Sequence, residues 1–293
     1  MSHLDANTGT ITLAFMHKHW SELDEEELKA VWDVHWKNEW LIRKERTLDQ
    51  IQNSYAGRYV DALVQLLNPA RIETVLDCTS GFGFKTMLLL ARGYSVVGSD
   101  VSGVAVDAAR ELTRRMGFSI DFRLCAWSKC AEVWGAGCFD VIFNDALSWS
   151  TNERMFVDAA RAFHTALKPG GILIWAGAAQ GKDADPIQLA EQTLHSSPRI
   201  SLEGPWTRDG STIRRLIFRE LNSKGDKIAI LSHHTYLIID EAGERLEVAS
   251  IAEPTFWTWS KTSTLLSEAG FNSSATVEVP TRAGTRIFNI SRK

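Results

Sequence analysis

Cysteine is scarce: four in 293 residues, Cys78, Cys125, Cys130 and Cys138, none in a CxxC pair. That spacing implies neither a zinc site nor a disulfide framework, so the four read as small apolar fillers and no metal is expected. Long apolar runs are missing too. Stretches such as MLLLA at Met87–Ala91 stay far below the roughly 20 residues of a membrane-spanning helix, and the start, MSHLDANTGT, lacks the basic-then-apolar order of a secretory signal. A cytoplasmic protein with no membrane partner is the expectation. Clustered positive charge is also absent. Against 36 Asp and Glu stand 32 Lys and Arg, a formal net charge of −4. That argues against a nucleic-acid partner, because phosphate affinity rests on grouped Lys and Arg. Tyrosine is rare at four, whereas tryptophan reaches 11, with Trp20, Trp32, Trp36 and Trp40 inside the first forty residues.

From Glu25 to Arg46, Leu28, Trp32, Trp36 and Trp40 recur every four residues, with acids at the start and Arg43, Lys44 and Arg46 at the end, as a helix dipole favours. The spacing predicts a helix whose Trp face either packs on the rest of the protein or lines a lid. A second helix is expected over Leu48–Leu67, stopped by Asn68-Pro69. From Arg71, the runs TVLDC, SVVGSD, FRLCAW, FDVIFND and GILIWAG read as buried strands, and KTMLLLARG, VAVDAARELTRRMG and MFVDAARAFHTAL as helices. Their alternation predicts an α/β fold with a doubly wound, mostly parallel Rossmann-like sheet. After Gly181, RRLIFREL, KIAILSHHTYLIID and RLEVASI follow one another across GD and AGE turns. They read as an inserted antiparallel segment in which His233 and His234 point to opposite faces. A last helix, Ser260–Ala269, and the strands NSSATVEV and TRIFNIS end the chain as a hairpin. The expected organisation is an N-terminal helical lid (1–70), a nucleoside-binding core (71–180), an inserted segment over the site (181–255, with Trp206 inside it and Trp257 and Trp259 beside it), and the final helix and strands of the core sheet (256–293).

The chemistry concentrates in VLDCTSGFGFKT, residues 75–86, with Asp100 closing the next strand. A strand, a glycine loop and a helix offer backbone N–H groups and a positive helix end to a ligand. Asp100 stands where a carboxylate accepts hydrogen bonds from both ribose hydroxyls. A dinucleotide loop asks for a third small residue where Thr86 stands, and Asp77 would repel a pyrophosphate and attract a cation. The favoured ligand is nucleoside-like and positively charged. A non-catalytic NAD-binding module is the weaker reading.

On Asp77, Gly81 and Gly83 (DxxxGxG), Asp100 in VVGSDVS, FDVIFND at Phe139–Asp145 and ALKPGGILI at Ala166–Ile174, the sequence resembles the class I S-adenosylmethionine (SAM) methyltransferases, and among them the small-molecule N-methyltransferases of the glycine and sarcosine type. The resemblance runs from about Thr74 to Lys293. It implies SAM as cofactor, held by Asp77, Thr79, Ser80, Gly81, Gly83, Asp100, Val101, Ala126, Trp127, Asn144 and Asp145. It also implies a small-molecule substrate, N-methylated by in-line transfer, with Tyr55, Asp145 and Trp149 at the reacting centre. Helix capping for Asp145, interhelical packing for Tyr55 and core packing for Trp149 are the competing roles. Two departures stand out. Ala126 occupies the place where many relatives carry Asp or Asn for the adenine amino group, leaving adenine to stacking, with Trp127 next in line. WAGAAQGKDAD replaces the HRNYD-like segment that holds a glycine carboxylate, which disfavours glycine as acceptor. A second reaction suits the same cofactor: SAM's own amine attacks its γ-carbon, closes a four-membered ring and releases methylthioadenosine, as azetidine-carboxylate-forming relatives of this fold do.

Overall fold

The computed structural model describes residues 10–14, 19–68, 72–176, 185–224, 227–281 and 284–293. A short strand, β1 (Thr10–Ala14), precedes helix α1 (Glu25–Arg43). The first turn of α1 is set by a reciprocal cap: Asp24 accepts from the Glu27 N–H, and Glu27 accepts from the Asp24 N–H. The single helix expected over Leu48–Leu67 is two, α2 (Leu48–Gln52) and α3 (Tyr55–Leu63). They part at Ser54, whose hydroxyl donates to the Ile51 carbonyl and accepts from the Ala56 N–H in competition with helical pairing. A Cβ at Gly57 would lie 1.7 Å from the Gln52 carbonyl oxygen, so glycine is what lets α3 fold back over the end of α2.

The core then alternates through β2 (Val75–Asp77), α4 (Phe84–Leu90), β3 (Val96–Asp100), α5 (Gly103–Arg115), β4 (Phe122–Leu124), α6 (Cys130–Trp134), β5 (Phe139–Asn144), α7 (Glu153–Ala166) and β6 (Leu167–Trp175). An inserted block follows: α8 (Pro186–His195), β7 (Ile200–Arg208), β8 (Ser211–Lys224), β9 (Lys227–Asp240) and β10 (Gly243–Phe256). Helix α9 (Trp259–Glu268) and the hairpin β11 (Ser273–Thr281) and β12 (Gly284–Arg292) complete the chain. The main sheet has the order β11-β12-β6-β5-β2-β3-β4, with β2 to β6 mutually parallel and β12 antiparallel to β6. Phe156 and Phe163 of α7 and Leu265 of α9 bury one face; Tyr59 and Leu63 of α3, Met87 of α4 and Leu112 of α5 bury the other. Strand order reverses between β2 and β5, which opens a crevice beyond their carboxyl ends.

The second sheet has the order β1-β10-β9-β8-β7, antiparallel except for β1, which runs parallel to β10. The N-terminal segment is therefore not helical alone. Its strand β1 belongs to the inserted sheet, and α1 lies between the two sheets. Residues 1–9 of the MSHLDANTGT start and residues 177–184 of the WAGAAQGKDAD segment lie outside the described residues.

Candidate active site

The glycine loop is built around two buried carboxylates. Asp77, at the end of β2, accepts from Thr86 Oγ1 (2.7 Å) and from the Thr79 N–H (3.1 Å), which fastens both ends of the turn. Burial pushes its pKa up to about 6, against the opposing pull of Lys85 and the Thr86 hydrogen bond. Asp100, at the end of β3, accepts from the Gly81 N–H (2.9 Å) and the Ser102 N–H (3.0 Å). Burial raises it to about 6 as well, opposed by those two backbone bonds. Gly81 and Gly83 have φ of +50° and +74°, which L side chains rarely adopt; a Cβ at Gly81 would lie 2.9 Å from the Trp36 ring, and one at Gly83 2.7 Å from Phe122.

A cavity of about 240 Å³ opens beyond this loop and beneath α1. Its inner end is lined by Thr79, Lys85, Asp100, Val101, Ala126, Trp127 and Asp145. Trp127 is held by a hydrogen bond from Nε1 to the Cys78 carbonyl (2.9 Å). Lys85, on the first turn of α4, pairs with Asp145 at the end of β5, both side chains largely buried. Its Nζ also lies 5.2 Å from the centre of the Tyr59 ring. Burial alone would lower the Lys85 pKa, but the Asp145 and Asp77 carboxylates outweigh it and hold the ammonium above its ordinary value.

The roof is α1. Trp36 stands edge-on to Phe82 (4.9 Å between centroids), and Trp32 stacks on Trp149 (5.6 Å, 9° between planes), so the helix sits on the loops after β2 and β5. Ser128 donates to Glu25 (2.6 Å) and Ser102 donates to Asp33, which tie α1 to the loops after β4 and β3. The outer end of the cavity is walled by Trp20, Trp32, His35, Met155 and residues 250–253 of β10. Of the expected Trp stripe, Trp32 and Trp36 line the cavity, while Trp40 packs against Phe82.

Six expected cofactor residues meet at the cavity: Thr79, Asp100, Val101, Ala126, Trp127 and Asp145. Asp77, Ser80, Gly81, Gly83 and Asn144 do not line it. They lie behind it, where Asp77 clamps the turn, the Ser80 N–H bonds the Ser99 carbonyl and Asn144 accepts from the Ala146 N–H. Of the residues expected at the reacting centre, Asp145 and Trp149 line the cavity. Tyr55 does not: it is 54% exposed and its hydroxyl accepts from Arg286 (3.0 Å). The buried tyrosine of the same helix is Tyr59, whose ring faces the Lys85 ammonium. His233 and His234 do point to opposite faces. His233 stacks on Phe218, while His234 turns toward α1 with its ring 5.0 Å from His35. Trp257 packs on Phe156 in the core, away from the cavity. Lys85, His35 and Glu253 are cavity residues that the sequence reading did not single out. Among the described residues, no three His, Cys, Asp or Glu side chains come together as a metal site requires, and no helix is long and apolar enough to cross a membrane.

Residues 75–171 match the family described as a methyltransferase domain. The tRNA 5-carboxymethoxyuridine methyltransferase of Escherichia coli (strain K12) is 24% identical over 129 residues, 43% of this chain and 48% of that protein, so the match spans about half the length of the curated relative. Among solved structures, the CcbJ methyltransferase from Streptomyces caelestis has a TM-score of 0.58 at 16% identity, covering 92% of this chain and 98% of that one. The sugar N-methyltransferase KedS8 from Streptoalloteichus sp ATCC 53650 has a TM-score of 0.55 at 15% identity, covering 100% and 99%. A SAM-dependent methyltransferase from Clostridium acetobutylicum ATCC 824 has 0.55 at 14%, covering 87% and 96%. At such identities the likeness to solved structures is one of fold.

Proposed function

We propose that this chain, whose residues 75–171 match a methyltransferase domain, is a SAM-dependent enzyme of class I fold that transfers the methyl group of SAM to the nitrogen of a small amine or amino-acid-like acceptor, in the cytoplasm. The observation that carries the reading is one continuous cavity, running from Asp100 and Trp127 at the strand ends, under the Trp32 and Trp36 rings of α1, to β10 of the inserted sheet.

The residues present fit the cofactor. The Asp100 carboxylate keeps lone pairs free beyond its two backbone donors, as binding of a ribose diol requires. Trp127 offers a fixed ring face where no Asp or Asn is available for adenine. Ring faces of Trp36 and Trp149 suit a sulfonium, each worth about 0.5–2 kcal/mol when desolvated. When bound, SAM supplies a methyl carbon on positive sulfur, so that an acceptor nitrogen forms its N–C bond as the S–C bond breaks and sulfur keeps the electron pair. The chain's own part is to align the acceptor and exclude water with its tryptophan walls.

An enclosed site under α1 and a net charge of −4 support a small molecule over a nucleic acid as substrate. A fold neighbour that N-methylates a sugar supports nitrogen as the atom attacked. Likeness to methyltransferases favours transfer over ring closure of SAM itself. Mass spectrometry of the adenosine products decides between them. S-adenosylhomocysteine (SAH) formed only when an amine is added supports the proposal; methylthioadenosine formed from SAM alone refutes it.

A further inference from the structure

The outer end of the cavity presents hydrogen-bond acceptors and, among the described residues, no Lys or Arg. Glu253 sits on β10 where pairing with β9 changes register between Ala252 and Thr255, an irregularity that frees it from the ladder and places it on the cavity wall. Its Oε2 accepts from Ser232 Oγ at 3.2 Å. Among the described residues no Lys or Arg pairs with it, and the nearest imidazole nitrogen, His234 Nε2, is 4.0 Å away. Burial, with His35 and Arg215 close by, drives the His234 pKa down to about 2, so it brings no charge, and among the described residues neither of its ring nitrogens has a hydrogen-bond partner.

His35 supplies the second acceptor. Its Nδ1 lies 3.0 Å from the Tyr236 hydroxyl, which lies 3.2 Å from Glu39 Oε1. The Glu39 carboxylate, paired with Arg43 (2.6 Å) and Arg215, can only accept. The tyrosine hydrogen therefore goes to Glu39, and the tyrosine oxygen accepts from His35 Nδ1–H. That fixes the tautomer and leaves Nε2 with a bare lone pair at the cavity wall. Burial, with Arg43 and Arg215 nearby, lowers the imidazole pKa to about 3, so the ring is neutral at physiological pH. Among the described residues the one ammonium lining the cavity, Lys85, is at the other end and engaged by Asp145.

Resting on the reading that this cavity takes the acceptor, we propose that the acceptor is an amine carrying no carboxylate or phosphate, its N–H donors recognised by Glu253 and His35 Nε2, with Tyr236 and Glu39 positioning His35. An acidic group at this end would face the Glu253 carboxylate, and among the described residues no Lys or Arg lines the cavity there, Arg219 and Arg215 acting on Glu253 only from beyond hydrogen-bond range.

Matched pairs test this. Purified protein saturated with SAH is titrated by calorimetry with phenethylamine against phenylalanine, and with isobutylamine against valine; turnover of each with SAM is followed in parallel. Each amine should bind at least about tenfold more tightly than its carboxylated partner, and Glu253→Gln should weaken amine binding about ten- to hundredfold, the range of a hydrogen bond to a charged group, with SAH affinity unchanged. Tyr236→Phe should raise the amine KM about tenfold and leave SAH affinity alone; a loss shared by SAH, as a purely structural role produces, removes His35 from the proposal. Equal or reversed preference within the pairs, binding of neither member, or a Glu253→Gln variant with unaltered preference overturns the inference. Failure of SAH itself to bind would instead overturn the cofactor reading.

Discussion

Replacing Lys85 by methionine removes the ammonium at the inner end of the cavity while keeping most of its apolar stem. The native ion pair is well enclosed, with side-chain exposures of 12% for Lys85 and 17% for Asp145, and Nζ also lies over the Tyr59 and Phe143 rings at 5.2 and 5.9 Å. Removing one partner of a buried pair typically costs about 3–5 kcal/mol, because the other charge is stranded. The thioether should recover part of this by packing against the same rings. A loss of roughly 3 kcal/mol at pH 7 is the expected outcome.

The pH dependence is the sharper test. Asp77 has a folded pKa of about 6, and Lys85 is the foremost influence holding it down against burial. Unfolded, an aspartate titrates near 3.9. A raised folded pKa means that the native state binds the extra proton, so this group's contribution is full below about pH 4 and is lost as pH rises through the folded value. In the wild type that loss is complete a little above pH 6. Without Lys85 the folded pKa climbs further, and the loss continues toward pH 8. The destabilisation of Lys85→Met should therefore be smaller at pH 5 than at pH 8, by about 1.4 kcal/mol for each unit the Asp77 pKa gains. Urea midpoints and slopes at pH 5, 6.5 and 8 at fixed ionic strength measure it. A loss below about 1 kcal/mol throughout, or one that is larger at pH 5, refutes the electrostatic account of the cavity floor.

Asp100→Asn should weaken SAH binding at least about tenfold by calorimetry, since an amide replaces a carboxylate acceptor. With a folded pKa of about 6, wild-type SAH affinity should strengthen from pH 5 to 7 as Asp100 ionises, and the variant should lose most of that dependence. Retained affinity would remove Asp100 from the ribose. The stacked Trp32 and Trp149 rings should show a coupling of about 0.5–1.5 kcal/mol in an alanine double-mutant cycle of thermal stability, and zero coupling would mean that α1 does not rest on the loop after β5. Tyr55→Phe should leave kcat within about twofold, because this side chain lies outside the cavity against Arg286. A tenfold fall would return Tyr55 to the reacting centre.

The core strands were legible because parallel strands buried on both faces read as short unbroken apolar runs, as in β2, β5 and β6. β7 was not: Ile200 and Leu202 are 65% and 68% exposed, so its apolar residues mark no buried face. β1 was missed as well, since five residues of TITLA carry little pattern of their own and pair only with a strand more than two hundred positions later. At the site, glycine loop and Asp100 were readable from local spacing. Lys85 was not, because its partner Asp145 lies 60 positions away and only the sheet order brings β5 beside β2. His35 and Glu39 did leave a trace, in that Val31, His35, Asn38 and Glu39 form a buried face of α1 beside the tryptophans. A polar stripe where a core stripe is expected signals partners elsewhere, but it does not say where.

Those partners explain how the two halves of the cavity are held to each other. The Trp36 side of α1 meets the loops of the main sheet, and its polar stripe meets the inserted sheet, with His35 on Tyr236, Asn38 on Glu247 (2.9 Å) and Glu39 on Arg215. Each of these buried groups costs free energy unless its partner is in register. A slip of β9 by one residue would turn Tyr236 and His234 away from α1 and present His233 and Thr235 instead, leaving His35 without its donor-fixing oxygen and Glu39 without the tyrosine hydroxyl. The register of the inserted sheet and the seating of α1 therefore specify each other. Because the wall near Asp100 and the wall near Glu253 both depend on that one helix, a nucleoside and an amine bound as proposed would each stabilise the same docked arrangement, and each should tighten the binding of the other.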